Sequence, residues 1–150
     1  MSRQNTGNTA SETKSVPNAP TGAVATNLGS GRAVNNGSAS VSFTTPFDGK
    51  MPITGYTVTP SPATSPATFT SATSPITVTN LASATAYTYT ITATNAIGTS
   101  AASAASAAVT ATTIPSVPSA PTATAGVNQD VVTWTAPSNG GSAITGYTLK

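Results

Sequence analysis

Glu12, Asp48 and Asp130 are the only acids in this chain, and no histidine or cysteine accompanies them. Acid–base catalysis by carboxylates needs two of them held in one site, and these three fall in three separate segments. Serines are plentiful, but a nucleophilic serine needs a neighbouring base, and only isolated lysines are on offer. Calcium needs several clustered oxygens with carboxylate among them; Asp48-Gly49 brings one acid and reads as a turn. Glycine patterns that cradle phosphates between a strand and a helix are missing. Without cysteine there is no disulfide framework, thiol chemistry or cysteine-based metal site. The five cations, Arg3, Lys14, Arg32, Lys50 and Lys150, are too scattered to form the basic stripe that a phosphate backbone demands. These residue types predict a non-enzymatic protein with no catalytic residue, no metal, no cofactor and no nucleic-acid partner.

The informative spacing is a repeat. Val16-Pro17-Asn18-Ala19-Pro20-Thr21 returns as Val117-Pro118-Ser119-Ala120-Pro121-Thr122, and Ile53-Thr54-Gly55-Tyr56-Thr57 returns as Ile144-Thr145-Gly146-Tyr147-Thr148. Recurrence at this distance means tandem modules. The first copy runs through; the second reaches three residues past its tyrosine, to Lys150. Its residues 115–150 supply about two and a half strands, which leaves Trp134 without an opposing sheet. Either the natural chain continues past Lys150 or a neighbouring subunit completes the half-module, and continuation is the expectation because domains are whole units.

Charged residues make up 5% of the 150 positions and hydrophobic ones 37%, against a usual charged share of about a quarter. No charge occurs from Met51 to Gln129. Such a surface has no repulsion between copies, which suits close assembly; Thr and Ser hydroxyls keeping a lone domain in solution fit equally. The N-terminal stretch has no apolar run of a secretory signal, and no stretch approaches the roughly 18 apolar residues of a membrane span. The absence of cysteine suits a reducing cytoplasm and also many bacterial secreted proteins.

Residues 1–15 are polar and aperiodic and read as an arm. From Val16 the pattern becomes short alternating runs bounded by Pro, Gly and Asn, which predicts a β-sandwich. Strands are expected at 21–26, 39–45, 53–59, 64–71, 75–79, 86–94 and 104–112, with prolines marking the first and fourth as edges. A change of phase points to a bulge or bend near Gly55. In the last strand Ala105, Ala107, Val109 and Ala111 are expected to face inward. Residues 101–108 have helical propensity as well, but their Ser content and β surroundings favour a strand. Ile114 to Ser119, with two prolines, is a semi-rigid connector. Seven strands in roughly 100 residues match a Greek-key sandwich.

The run Asn80-Leu81-Ala82-Ser83-Ala84-Thr85-Ala86-Tyr87-Thr88-Tyr89-Thr90-Ile91-Thr92-Ala93-Thr94-Asn95-Ala96-Ile97-Gly98 resembles the corner and following strand of a fibronectin type III domain. The Pro17–Pro20 start, Phe43 and Ile53-Thr54-Gly55-Tyr56 are similar to other parts of that pattern. The resemblance covers residues 16–114 in full and 115–150 as the opening of a second copy. It implies an all-β, seven-stranded, immunoglobulin-like Greek-key sandwich in tandem, with Phe43, Tyr56, Leu81, Tyr87, Ile91 and Trp134 as structural core. Tyr87 matches the family's corner tyrosine, whose hydroxyl ties the loop back to nearby backbone, and Leu81 the plug beneath it. Phe43 stands where the family usually has Trp, which the second copy keeps at Trp134. No Arg-Gly-Asp is present, so integrin recognition does not carry over.

Pro20 to Phe43 is 23 positions and Pro121 to Trp134 is 13, so the first copy carries ten extra residues around 28–37. Asn36-Gly37 is a good hairpin turn, and the insertion reads as a protruding β-tongue whose contact residues are Arg32, Asn35, Asn36 and Gly37. A surface insertion without a partner is the commoner case for loops. Asn36-Gly37-Ser38 is also a glycosylation sequon, meaningful only in a eukaryotic secretory pathway.

These observations point to a structural or interaction module of a large assembly. Similar Thr/Ala/Ser-rich modules occur in phage structural proteins, so the expectation is a virion component of a tail, fibre or capsid surface. Its partners would be protein subunits of the same multimeric assembly and a host surface glycan or protein. The alternative is a spacer or adhesion module of a bacterial secreted or cell-surface protein attached to a further domain. An animal adhesion ectodomain is disfavoured by composition.

Overall fold

The computed structural model of the chain describes residues 13–29 and 31–150. Among these residues nine strands follow one another without a helix: β1 (Thr21–Asn27), β2 (Gly37–Thr44), β3 (Gly55–Ser61), β4 (Phe69–Ser71), β5 (Ile76–Leu81), β6 (Ala86–Thr94), β7 (Val109–Thr110), β8 (Thr122–Gly126) and β9 (Gln129–Thr133). They form three antiparallel sheets, in the orders β1-β2-β5, β4-β3-β6-β7 and β8-β9. Seven strands thus build the sandwich, and two more lie beyond it. Of the expected arm, residues 1–12 fall outside the described residues. Ser15 does not hang free: its N–H donates to the Gly49 carbonyl at 2.9 Å.

Alternation explains the core. Along β6, Tyr87, Tyr89, Ile91 and Ala93 are buried while the threonines between them are half-buried. They meet Ala39, Val41 and Phe43 of β2, Tyr56 and Val58 of β3, and Ile76, Val78 and Leu81 of β5. Strands of this kind place successive side chains on opposite faces, so two half-apolar sheets close on one another. Phe43 and Tyr56 pack with ring centroids 4.8 Å apart and planes tilted by 55°.

The bulges lie elsewhere than expected. The β3–β6 ladder runs unbroken from Gly55↔Thr94 to Ser61↔Thr88. Register shifts instead between Thr21 and Val24 of β1, where Gly22 has φ 63°, and between Gly37 and Ala39 of β2. The phase change in sequence arises because Ile53 precedes the strand rather than belonging to it.

The expected last strand also needs correction. Only Val109–Thr110 is regular, and Ala105 and Ala107 are exposed rather than inward, with Val109 half-buried and Ala111 buried. The inward residues are Ser100, Ser103 and Ser106. Their N–H groups donate to the carbonyls of Ala93, Ile91 and Tyr89 at 2.8, 2.8 and 2.9 Å. Their hydroxyls accept the N–H groups of the same residues at 3.0, 3.0 and 3.1 Å. Each hydroxyl then donates to the carbonyl of the alanine that follows it. The rhythm continues to Val109, which pairs with Tyr87. Positions 100 to 109 therefore advance three residues for every two of β6. A Ser-Ala-Ala repeat suits this arrangement, because a serine hydroxyl can take a backbone N–H that a regular strand would have met with a carbonyl.

Candidate functional site

No three of His, Cys, Asp or Glu come together among the described residues, and no helix there is long and apolar enough to cross a membrane. The arrangements with shape and partners are a corner, a pinned loop and a joint.

Leu81 is fully buried, and two residues after it the chain turns at Ser83-Ala84 before entering β6. The Tyr87 hydroxyl accepts the Ala82 N–H at 3.0 Å, closing that turn from within. Tyr89, on the same face, is fully buried, and its hydroxyl has no partner. Burial and, second, the neighbouring Tyr87 push its pKa from 10.0 up to about 12. Ile91 and Phe43 complete this wall of the core.

The insertion does not protrude as a β-tongue. Its turn closes two residues earlier than the Asn-Gly pair suggests, with Asn36 N–H donating to the Ala33 carbonyl and Asn35 at φ 58°. Asn35 and Ser83 hold each other: the Asn35 N–H donates to Ser83 Oγ at 2.8 Å, and the Ser83 N–H donates to Asn35 Oδ1 at 3.1 Å. The Arg32 Nε–H donates to Ser38 Oγ at 2.7 Å, folding the guanidinium stem inward. Gly37 is buried at the start of β2, so of the four expected contact residues only Asn35 and Asn36 are exposed, with Arg32 half-buried. Hydrogen bonds to a corner about fifty positions away override the local hairpin signal.

The same loop reaches the chain's onward path. The Ile114 N–H donates to the Arg32 carbonyl at 2.8 Å, and Asn27 Nδ2–H donates to Thr112 Oγ1 at 2.6 Å. Thr113 is buried and shares a 2.7 Å hydrogen bond with Ser83 through their hydroxyls. Its N–H donates forward to the Gly140 carbonyl at 2.8 Å, and the Ser116 N–H donates to the Ser138 carbonyl at 3.0 Å. An open groove of about 800 Å³ runs alongside, bordered by Asn27, Leu28, Gly31, Thr112, Asn139 and Thr145.

One turn geometry occurs twice, 91 positions apart. Asp48 Oδ1 accepts the Lys50 N–H at 2.8 Å, and Asn139 Oδ1 accepts the Gly141 N–H at 2.9 Å. Gly49 and Gly140, at φ 71° and 67°, let the backbone of the incoming chain lie where a Cβ would stand. At the first turn Asn95 adds a clamp that the sequence reading did not single out. Its Nδ2 donates to the Ser15 and Asp48 carbonyls, both at 2.8 Å, and its Oδ1 accepts the Ile97 and Gly98 N–H groups.

Trp134 is not part of the core. It is 37% exposed and meets Tyr147 edge-on, with ring centroids 5.2 Å apart. The pair matches Phe43 and Tyr56 in position, but nothing corresponding to β5 and β6 lies over it.

Ser83, Thr113 and the Nδ2 side of Asn95 carry no local signal, because each meets residues far away in sequence. The Ser-Ala-Ala period is visible in the sequence, but alternation of Ala105, Ala107, Val109 and Ala111 overlies it.

The family described as fibronectin type III domain matches residues 19–109. Among solved structures, the chain is similar to domains A168-A170 from titin, with a TM-score of 0.52 and 26% identity over 63% of this chain and 32% of that one. It is similar to titin kinase and its flanking domains, with a TM-score of 0.51 and 26% identity over 63% of this chain and 17% of that one. The chicken CNTN1 FN1-FN3 domains share the fold, with a TM-score of 0.50 and 21% identity over 79% of this chain and 41% of that one. The chain thus spans less than half the length of each of these proteins. No curated protein matches it.

Proposed function

Since the chain belongs to the fibronectin type III family, we propose that it is a non-enzymatic structural and interaction module of a large assembly: a bacteriophage virion protein of the tail, fibre or capsid surface. The observation that carries this reading is the run from Met51 to Gln129 without a single charge, which covers β3 to β7 and the start of the following segment. A surface of threonine, serine and alanine lacks the repulsion that keeps free domains apart, and weak contacts over many copies add up to firm attachment. Protein subunits of the same particle are the first partners, with a host surface glycan or protein as the second.

The joint at Thr113 favours a second reading, a spacer in a bacterial secreted or cell-surface protein that holds a further domain at a set distance. This reading also takes residues 115–150 as the opening of another module. Mass spectrometry and imaging of the native source separate the two. Stoichiometric copies in purified particles support the virion reading; recovery only as part of a secreted or wall-attached protein rejects it in favour of the spacer.

A further inference from the structure

We infer that the loop after β1, through Arg32 and Asn35, braces an inter-module joint whose other side is the 138–146 turn of the following segment. On this inference sandwich and following segment form one stiff rod, in a virion and in a cell-surface protein alike.

Tandem domains move relative to one another by default unless the contact between them is extensive, and a linker gives freedom only through residues whose backbone is unpaired. Here every backbone N–H from Ala111 to Ser116 is taken. Ala111 donates its N–H to the Thr85 carbonyl and accepts the Ala84 N–H through its own. The Thr112 side chain is bonded to Asn27, Thr113 to Gly140, Ile114 to Arg32 and Ser116 to Ser138; Pro115 has no N–H and a fixed φ.

Thr113 serves both sides. Its hydroxyl belongs to the sandwich through Ser83, and its N–H to the following segment through Gly140. Asn35 holds Ser83 from behind by two hydrogen bonds, so the inserted loop, Ser83, Thr113 and Gly140 form a continuous relay. Gly141 closes the other side, where an added Cβ would stand 3.1 Å from the Ala111 carbonyl oxygen and 3.2 Å from Ala84 Cα. The ten extra residues thus supply the Arg32 carbonyl and the Asn35 amide, and so two of the supports that fix the exit path. The second copy, which lacks the insertion, has neither.

The chain has no cysteine, so Val24→Cys and Val127→Cys, both at exposed positions, give a clean pair of spin labels for pulsed dipolar spectroscopy on the full chain. The native sequence is expected to give one narrow distance peak. Asn35→Gly with Ser83→Ala cuts the relay while keeping the left-handed backbone at 35, and Gly140→Val pushes the turn off the Thr113 and Ile114 carbonyls. Each is expected to widen the peak at least about twofold, towards freely jointed domains, with the melting of the sandwich retained. A broad distribution in the native chain, or a peak that stays narrow in either folded variant, overturns the inference. Because the variants act from opposite sides of the joint, loss of folding in one leaves the other to decide.

Discussion

Two tyrosines on one face of β6 have opposite surroundings, and this gives predictions of opposite sign. The Tyr87 hydroxyl accepts the Ala82 N–H in the half-buried corner. Tyr87→Phe leaves that donor without a partner, and an unmet buried group costs about 1–3 kcal/mol; urea denaturation should show a lower midpoint at unchanged slope. The Tyr89 hydroxyl is buried with no partner, so Tyr89→Phe removes an unmet group and should be neutral or stabilising in the same assay. Tyr89 also makes stability depend on alkaline pH. Its folded pKa is raised from 10.0 to about 12, so the native state holds a proton that the unfolded state releases. Stability is then full below pH 10 and falls as pH rises towards 12, by at most about 1.4 kcal/mol per unit. Comparing stability curves of Tyr89→Phe and the native chain between pH 9 and 12 checks this; the slope should be absent in the variant.

At the scale of elements, Ser100, Ser103 and Ser106 carry one edge of the sheet. Each hydroxyl meets an N–H of β6, so Ser103→Ala should expose the Ile91 amide to exchange and cost about 1–3 kcal/mol. Hydrogen exchange followed by residue should show faster exchange at Ile91 and little change at Thr90. The regular elements were legible in the sequence because their cause is local. Tyr87, Tyr89, Ile91 and Ala93 alternate with threonines, and the expected bounds of β6, Ala86 to Thr94, are the observed ones. The serine edge is not legible as a strand, because a strand pattern repeats every two residues and this edge repeats every three. The inserted loop was misread for a different reason. Asn36-Gly37 carries a strong local turn signal, but the chain turns at Asn35, whose amide is held by Ser83 on another element. Turn propensity is a local preference, and a pair of hydrogen bonds to the corner at Ser83 exceeds it.

At the scale of the whole molecule, Trp134 is the single tryptophan and reports on the segment after the joint. It is partly exposed beside Tyr147, directly after a two-stranded sheet of the kind that is marginal alone. Its emission should lie to the red of a buried indole and be quenched readily by acrylamide. In a longer natural protein or an assembled particle the same indole should shift to the blue and become protected. Unchanged quenching there would show that nothing covers Trp134.

The serine edge has a mechanical side. Nine residue steps, 100 to 109, run beside six, 93 to 87. At about 3.3 Å per extended residue the nine steps hold roughly 10 Å more contour than the span they occupy. That slack sits in the segment leading directly to Thr113, where tension from a neighbouring module would arrive. Each serine rung released would pay out about 3 Å more chain than a regular edge strand of the same span.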